Sequence, residues 1–261
     1  MFRSMFRSMF RTTFALLILA VLPAPAQWLD RKTPGIPRLP DGKPNLAAPA
    51  PKALDGKPDL SGIYQAGNGR YFQDIAAGLR PEEFPIQPWA AALAKRREED
   101  LRKDDPYSHC MPPGVPRINV SNHPFKLLQM PGLVVILYET SNVFRQIFID
   151  DRPLPKDPQP TWLGYSVGRW EGTTLVVETN GFNDRNWLDG DKGHPISGAL
   201  QVTERFRRVD FGHLEIQVTL DDPKAFTKAW TIKQSLNLLP DTELLENICE
   251  NEKDSDHLVG K

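Results

Sequence analysis

Residues 201–220 alternate in character with period two, and that pattern leaves little besides β structure. In Gln201-Val202-Thr203-Glu204-Arg205-Phe206-Arg207-Arg208, Val202, Glu204 and Phe206 share one face while Thr203, Arg205 and Arg207 share the other. The run His213 to Leu220 repeats the pattern, with Leu214, Ile216, Val218 and Leu220 on one side. Val209-Asp210-Phe211-Gly212 between them has the length and residues of a hairpin loop, which makes the two runs antiparallel neighbours.

Further short runs precede this hairpin: 125–130, 133–140, 143–149 and 174–180, with Pro131-Gly132 and Ser141-Asn142 as tight connectors. No segment among them has room for the crossover helix that parallel strands ordinarily need, so an antiparallel meander is expected. The fold class is therefore all-β: a meander closing into a β-barrel or a strongly curved sheet over 59–250. A strand near 59–64 opens it, and another over 226–234 carries Trp230. Glu171-Gly172-Thr173 is a turn that leaves Trp170 beside Leu175. The segment 243–249 reads as strand or helical turn. One helix, 88–101, starts at Pro88 and carries a stripe of Ala90, Leu93, Ala94, Arg97 and Leu101 fit to cover the sheet.

The N-terminus has the order of an export signal. Arg3, Arg7 and Arg11 precede the apolar Phe14–Leu22, and Ala24-Pro25-Ala26 offers a small-x-small cleavage site. The apolar core is too short to span a bilayer, so no transmembrane segment is expected once 1–26 is removed. Residues 27–58 form a proline-rich arm in which Asp41-Gly42-Lys43-Pro44 recurs as Asp55-Gly56-Lys57-Pro58. Residues 251–261 form a charged, flexible tail. With 32 Lys and Arg against 33 Asp and Glu, the chain has no basic excess to attract nucleic acid. The two cysteines, Cys110 and Cys249, form an expected disulfide in an oxidising compartment.

The run Gly164 to Asp184, containing Gly-Arg-Trp-Glu-Gly at 168–172, resembles a large group of exported bacterial proteins of unassigned function, together with Pro124-Phe125-Lys126 and Thr203-Glu204-Arg205-Phe206. The resemblance implies a periplasmic or secreted all-β domain and attaches no activity to it. Gly168-Arg169-Trp170 also has a superficial likeness to the glycine-x-tryptophan of lipocalins, which implies only the analogy of a barrel with a ligand cavity.

Two charged residues fall on apolar faces: Glu204 with Val202 and Phe206, and Arg145 with Val143, Ile147 and Ile149. Charges so placed must be paired or neutralised. They form a structural ion pair, or face a ligand inside a cavity, or lie on a face covered elsewhere. Histidine is the natural proton carrier near neutral pH, and His123 and His194 lie in loops beside the strands. Tyr138, Glu178, Trp170, Trp230 and Phe206 are candidate ligand contacts, with Tyr138 alternatively a core aromatic. The string Gly-Tyr-Ser-Val-Gly at 164–168 fits a nucleophile elbow but sits in β context. Asp184, Asp189 and Asp191 offer a calcium-binding alternative to simple solvation.

Three functions follow. The first is an exported domain binding a small, largely apolar molecule of unknown identity in an internal cavity. The second is a cofactor-independent acid–base enzyme, a hydratase, isomerase or cyclase. It would use His123 or His194, with Glu204 orienting the imidazole and Arg145 stabilising negative charge. The third is a structural or interaction module. No cofactor, metal centre or nucleic-acid partner is expected, and the sequence leaves the oligomeric state open.

Overall fold

The computed structural model describes residues 32–249. The expected export signal and charged tail lie outside these residues. Nine strands close into one barrel: β1 Gly62–Ala66, β2 Phe125–Met130, β3 Leu133–Tyr138, β4 Phe144–Phe148, β5 Tyr165–Glu171, β6 Thr174–Asn180, β7 Gln201–Arg208, β8 His213–Asp221 and β9 Trp230–Leu238. Each pairs with its sequence neighbours, and β9 closes on β1. Trp230 opens its strand, which starts four residues later than the alternation at 226–234 suggests, because Asp222 holds the backbone of Ala225 and Phe226 in a turn.

The all-antiparallel expectation fails at one place. β4 and β5 run parallel, joined by Ile147↔Ser166 and Phe148↔Val167. Parity explains this: strands that alternate direction around a closed ring must be even in number, so a ring of nine requires one parallel step. No helix makes the crossover. Residues 149–164, stiffened by prolines, carry the chain from one rim back to the other. Consequently β2, β4, β5, β7 and β9 all begin at the same rim, here called the upper one.

Two helices and the longer connections gather at that rim. They are α1 (Arg70–Gln73), α2 (Pro88–Glu99), a 3-10 turn at Pro106–His109 and a second at Arg117–Val120. All four residues of the second turn are buried, and it plugs the barrel end. α2 stops at Glu99 rather than 101, since Leu101 and Arg102 adopt positive φ. Of its predicted stripe, Ala90 and Ala94 are buried, whereas Leu101 is exposed.

The lower rim carries the arm. Each DGKP copy folds into the same turn: Leu39 N–H donates to Lys43 O as Ala53 N–H does to Lys57 O, and Asn45 N–H to Pro37 O as Asp59 N–H to Pro51 O. Gly212 N–H and Phe211 N–H then bind the carbonyls of Leu46 and Ala48, and Arg38 forks onto Asp241. The two Asp-Gly-Lys-Pro copies are thus a pair of like turns, the first of them docked on the β7–β8 loop.

The disulfide between Cys110 and Cys249 is formed, with Cα atoms 5.5 Å apart. It ties the upper-rim connection to the chain's last described residue. The segment 243–249 is irregular, not strand or helix; contacts from Glu139 and Asn142 to Leu245 and Asn247 hold it instead. No helix among the described residues is long and apolar enough to cross a membrane.

Candidate functional site

The barrel interior is packed. Tyr64, Val134, Ile136, Val177, Leu214, Ile216, Val218 and Leu236 have no solvent exposure, which leaves no water-sized void beside them. Phe206 belongs to this core, and Trp170 packs against it from the lower end. The large internal cavity suggested by analogy with lipocalin barrels has no space among these side chains.

Within this core lies one polar network, just beneath the plug. Arg145 and Glu204 both point inward, as their period-two positions require, and form an ion pair with side-chain exposures of 1% and 0%. Glu204 also accepts from Asn119 Nδ2, and Tyr138 donates to Asn119 Oδ1 at 2.5 Å. The Arg145 Nε donates to Ser166 Oγ at 3.0 Å, its Nη2 to Thr179 Oγ1 at 2.8 Å, and those two hydroxyls are 3.0 Å apart. Five strands and the plug are thereby stitched together. Burial opposes the arginine's charge, but Glu204 and Tyr138 outweigh it and raise its pKa above the ordinary arginine value. Burial likewise pushes the Tyr138 phenol up, so it stays protonated as a donor.

Ser166, the elbow-like serine, is consumed by this network. Within this network, Arg145 Nη1 is the buried side-chain atom left without a hydrogen-bond partner among the described residues. Asn119 carries no apolar-face signal of its own, and its 3-10 turn lies in a segment without regular periodicity, which hides its role at the sequence level.

The histidines share the upper rim with this network, yet their polar contacts lie with other groups. His123 Nε2 is 3.4 Å from Tyr107 Oη, which also meets Thr140 Oγ1 at 3.0 Å. His194 Nδ1 is 2.5 Å from Asp189 Oδ2, and its ring stands edge-on to Phe84. Neither bonds to Glu204 or Arg145. Asp189 is fully buried, and its carboxylate also accepts from the backbone of Ile75 and His194. It is an organiser of the loop, so it does not join Asp184 and Asp191 around an ion. Asp74, Asp189 and His194 have donor atoms within 4.8 Å of one another, but Asp189 already has three donors and Asp74 binds Ala76 N–H.

Of the other candidates, Trp230 is buried against Phe84 and Phe226. Glu178 faces outward and bonds Arg169 at 2.7 Å, which removes it from any interior site. Nearby, Arg117 forks onto buried Asp105 and lies over the Phe72 ring; the sequence singles out neither residue of that second buried pair.

One apolar cleft adjoins the network. The β4–β5 ladder covers two residue pairs, and above it the chains 142–146 and 161–165 part around a cleft of about 480 Å³. Val143, Phe144, Phe148, Trp162, Leu163 and Tyr165 line it, with Arg145 and Ser166 at the seam. Phe148 and Tyr165 stack with centroids 5.5 Å apart, and Phe144 is 62% exposed. Among the sequence candidates Arg145 and the elbow-like Ser166 reach this cleft. Its aromatic residues carry no signal in the sequence, because they flank a connection that reads as plain proline-rich loop. The chain matches no family model, no curated protein and no solved structure.

Proposed function

We propose that this is an exported binding domain for a small, largely apolar molecule, taken at the split β4–β5 seam rather than in the barrel interior. The observation that carries the reading is the aromatic cleft itself: concave, mostly apolar, with a few polar groups at its edge, as small-molecule sites generally are. The Cys110–Cys249 disulfide is compatible with life outside the cytoplasm.

Native mass spectrometry of compounds retained by the purified protein tests this against a Phe144→Asp variant. Phe144 is exposed, so the change alters the cleft wall without disturbing the core. Retention of an apolar compound by the wild type and its loss from the variant is expected. Equal retention by both proteins, or none by either, overturns the proposal. A purely structural role is the second reading; the packed interior favours it over any internal-cavity function.

A further inference from the structure

The cleft exposes a strand edge as well as apolar side chains. Tyr138 N–H donates to Val143 O and Ile149 N–H to Gly132 O, both at 2.9 Å. With the register Leu133↔Phe148 to Leu137↔Phe144, these bonds turn the backbone groups of residues 143, 145, 147 and 149 toward β3. The N–H and C=O of Phe144, Gln146 and Phe148 therefore point the other way, toward β5. There the ladder reaches only Ile147 and Phe148. Phe144 presents both its amide and its carbonyl to the cleft without a strand partner among the described residues.

Open edges of this kind are ordinarily blocked by lysine, proline or an inward charge that disrupts pairing. Asn142-Val143-Phe144-Arg145-Gln146 contains no lysine or proline, and its arginine is engaged inside the barrel. The charge balance is also informative. Among the described residues Arg145 is the one charged residue lining the cleft and is met by Glu204, while neighbouring Arg152 is held by Asp150. The surroundings thus suit an uncharged occupant that supplies one backbone donor and one acceptor.

We infer that the cleft binds a short, uncharged, apolar peptide in extended form, which adds a strand to the free edge of β4 by pairing with the Phe144 amide and carbonyl. Alternate side chains of such a strand rest on the apolar walls, and main-chain bonds set its register. This rests on the cleft being the ligand site.

The test titrates the full-length protein with N-acetyl-Val-Leu-Val-amide, with the same peptide N-methylated at its central amide, and with 1-octanol, following the Phe144 amide by NMR and hydrogen exchange. Expected are saturable binding of the parent peptide, exchange at Phe144 slowed by at least ~10-fold, and a loss of ~10-fold or more in affinity on N-methylation. Phe144→Pro, which removes the cleft-facing donor while sparing the bonds to β3, should lose the parent peptide, whereas Phe144→Ala retains most of the affinity. If octanol or the N-methylated peptide binds as tightly as the parent, the peptide assignment falls and the cleft remains a general apolar site. Should no probe perturb Phe144, the peptide assignment and the cleft reading fall together.

Discussion

At the scale of single residues, the barrel depends on how Arg145 and Glu204 satisfy each other. Each is desolvated, so removing one charge strands the other in a medium that cannot solvate it. Glu204→Gln is expected to destabilise by about 3–5 kcal/mol, and Arg145→Met by a similar amount. The double change Arg145→Met with Glu204→Leu should recover much of the loss, because neither charge is left behind; a urea-denaturation double-mutant cycle showing simple additivity would refute the coupling. Burial also pushes up the phenols of Tyr64 and Tyr138. A folded phenol that stays protonated while the unfolded one ionises holds stability intact below the ordinary value of about 10 and loses it as pH rises beyond that. Alkaline titration by ultraviolet absorbance should accordingly show the Tyr64 and Tyr138 phenols ionising only as the protein unfolds. Period-two reasoning made the inward aim of Arg145 and Glu204 legible in the sequence. It could not find Asn119, Ser166 or Thr179, whose short polar side chains suit either face, and whose meeting with Arg145 and Glu204 joins elements far apart in the chain.

At the scale of elements, the strands were legible where both flanks were turns, as in β7 and β8, and less so where a strand grows out of loop. β5 is the main case. Its first residues follow a proline-rich connection, and nothing local reports that the strand before it runs in the same direction. Strand number decides that, and it is a property of the closed ring. Gly164 is where the connection turns into β5: its φ is +70°, and a Cβ there would lie 2.6 Å from Thr179 Cγ2 and 2.8 Å from the Asn180 carbonyl. Gly172, in the β5–β6 hairpin, also has positive φ but open space around it. Gly164→Ala should therefore cost about 2–4 kcal/mol, combining the left-handed backbone penalty with overpacking, against ~1 kcal/mol for Gly172→Ala. Thermal denaturation of the two variants separates the contributions; equal losses would mean that the crowding at Gly164 relaxes freely.

At the scale of the whole molecule, the parallel step puts the connections that follow β1, β3, β6 and β8, and the one that leads into β5, at a single rim. His123 and His194, the plug, the apolar cleft and the disulfide lie there, while the opposite rim carries short hairpins and the docked arm. The two cysteines signalled a bond across most of the chain, but the sequence could not say which rim it would fasten. The bond joins the segment leading to the plug with the irregular 243–249 strip, which otherwise depends on a few contacts from the β3–β4 connection. Its loss should therefore act globally on the unfolded chain and locally on the native rim. Replacing both cysteines by serine is expected to lower stability by about 2–4 kcal/mol, because closing so long a loop restricts the unfolded ensemble. Hydrogen exchange under native conditions should show the gain in opening at 104–112 and 243–249, with β7 and β8 still exchanging only through global unfolding. Faster local opening of β7 and β8 relative to that limit would mean that the bond braces the barrel wall itself. The rim would then no longer be separable from the sheet that carries it.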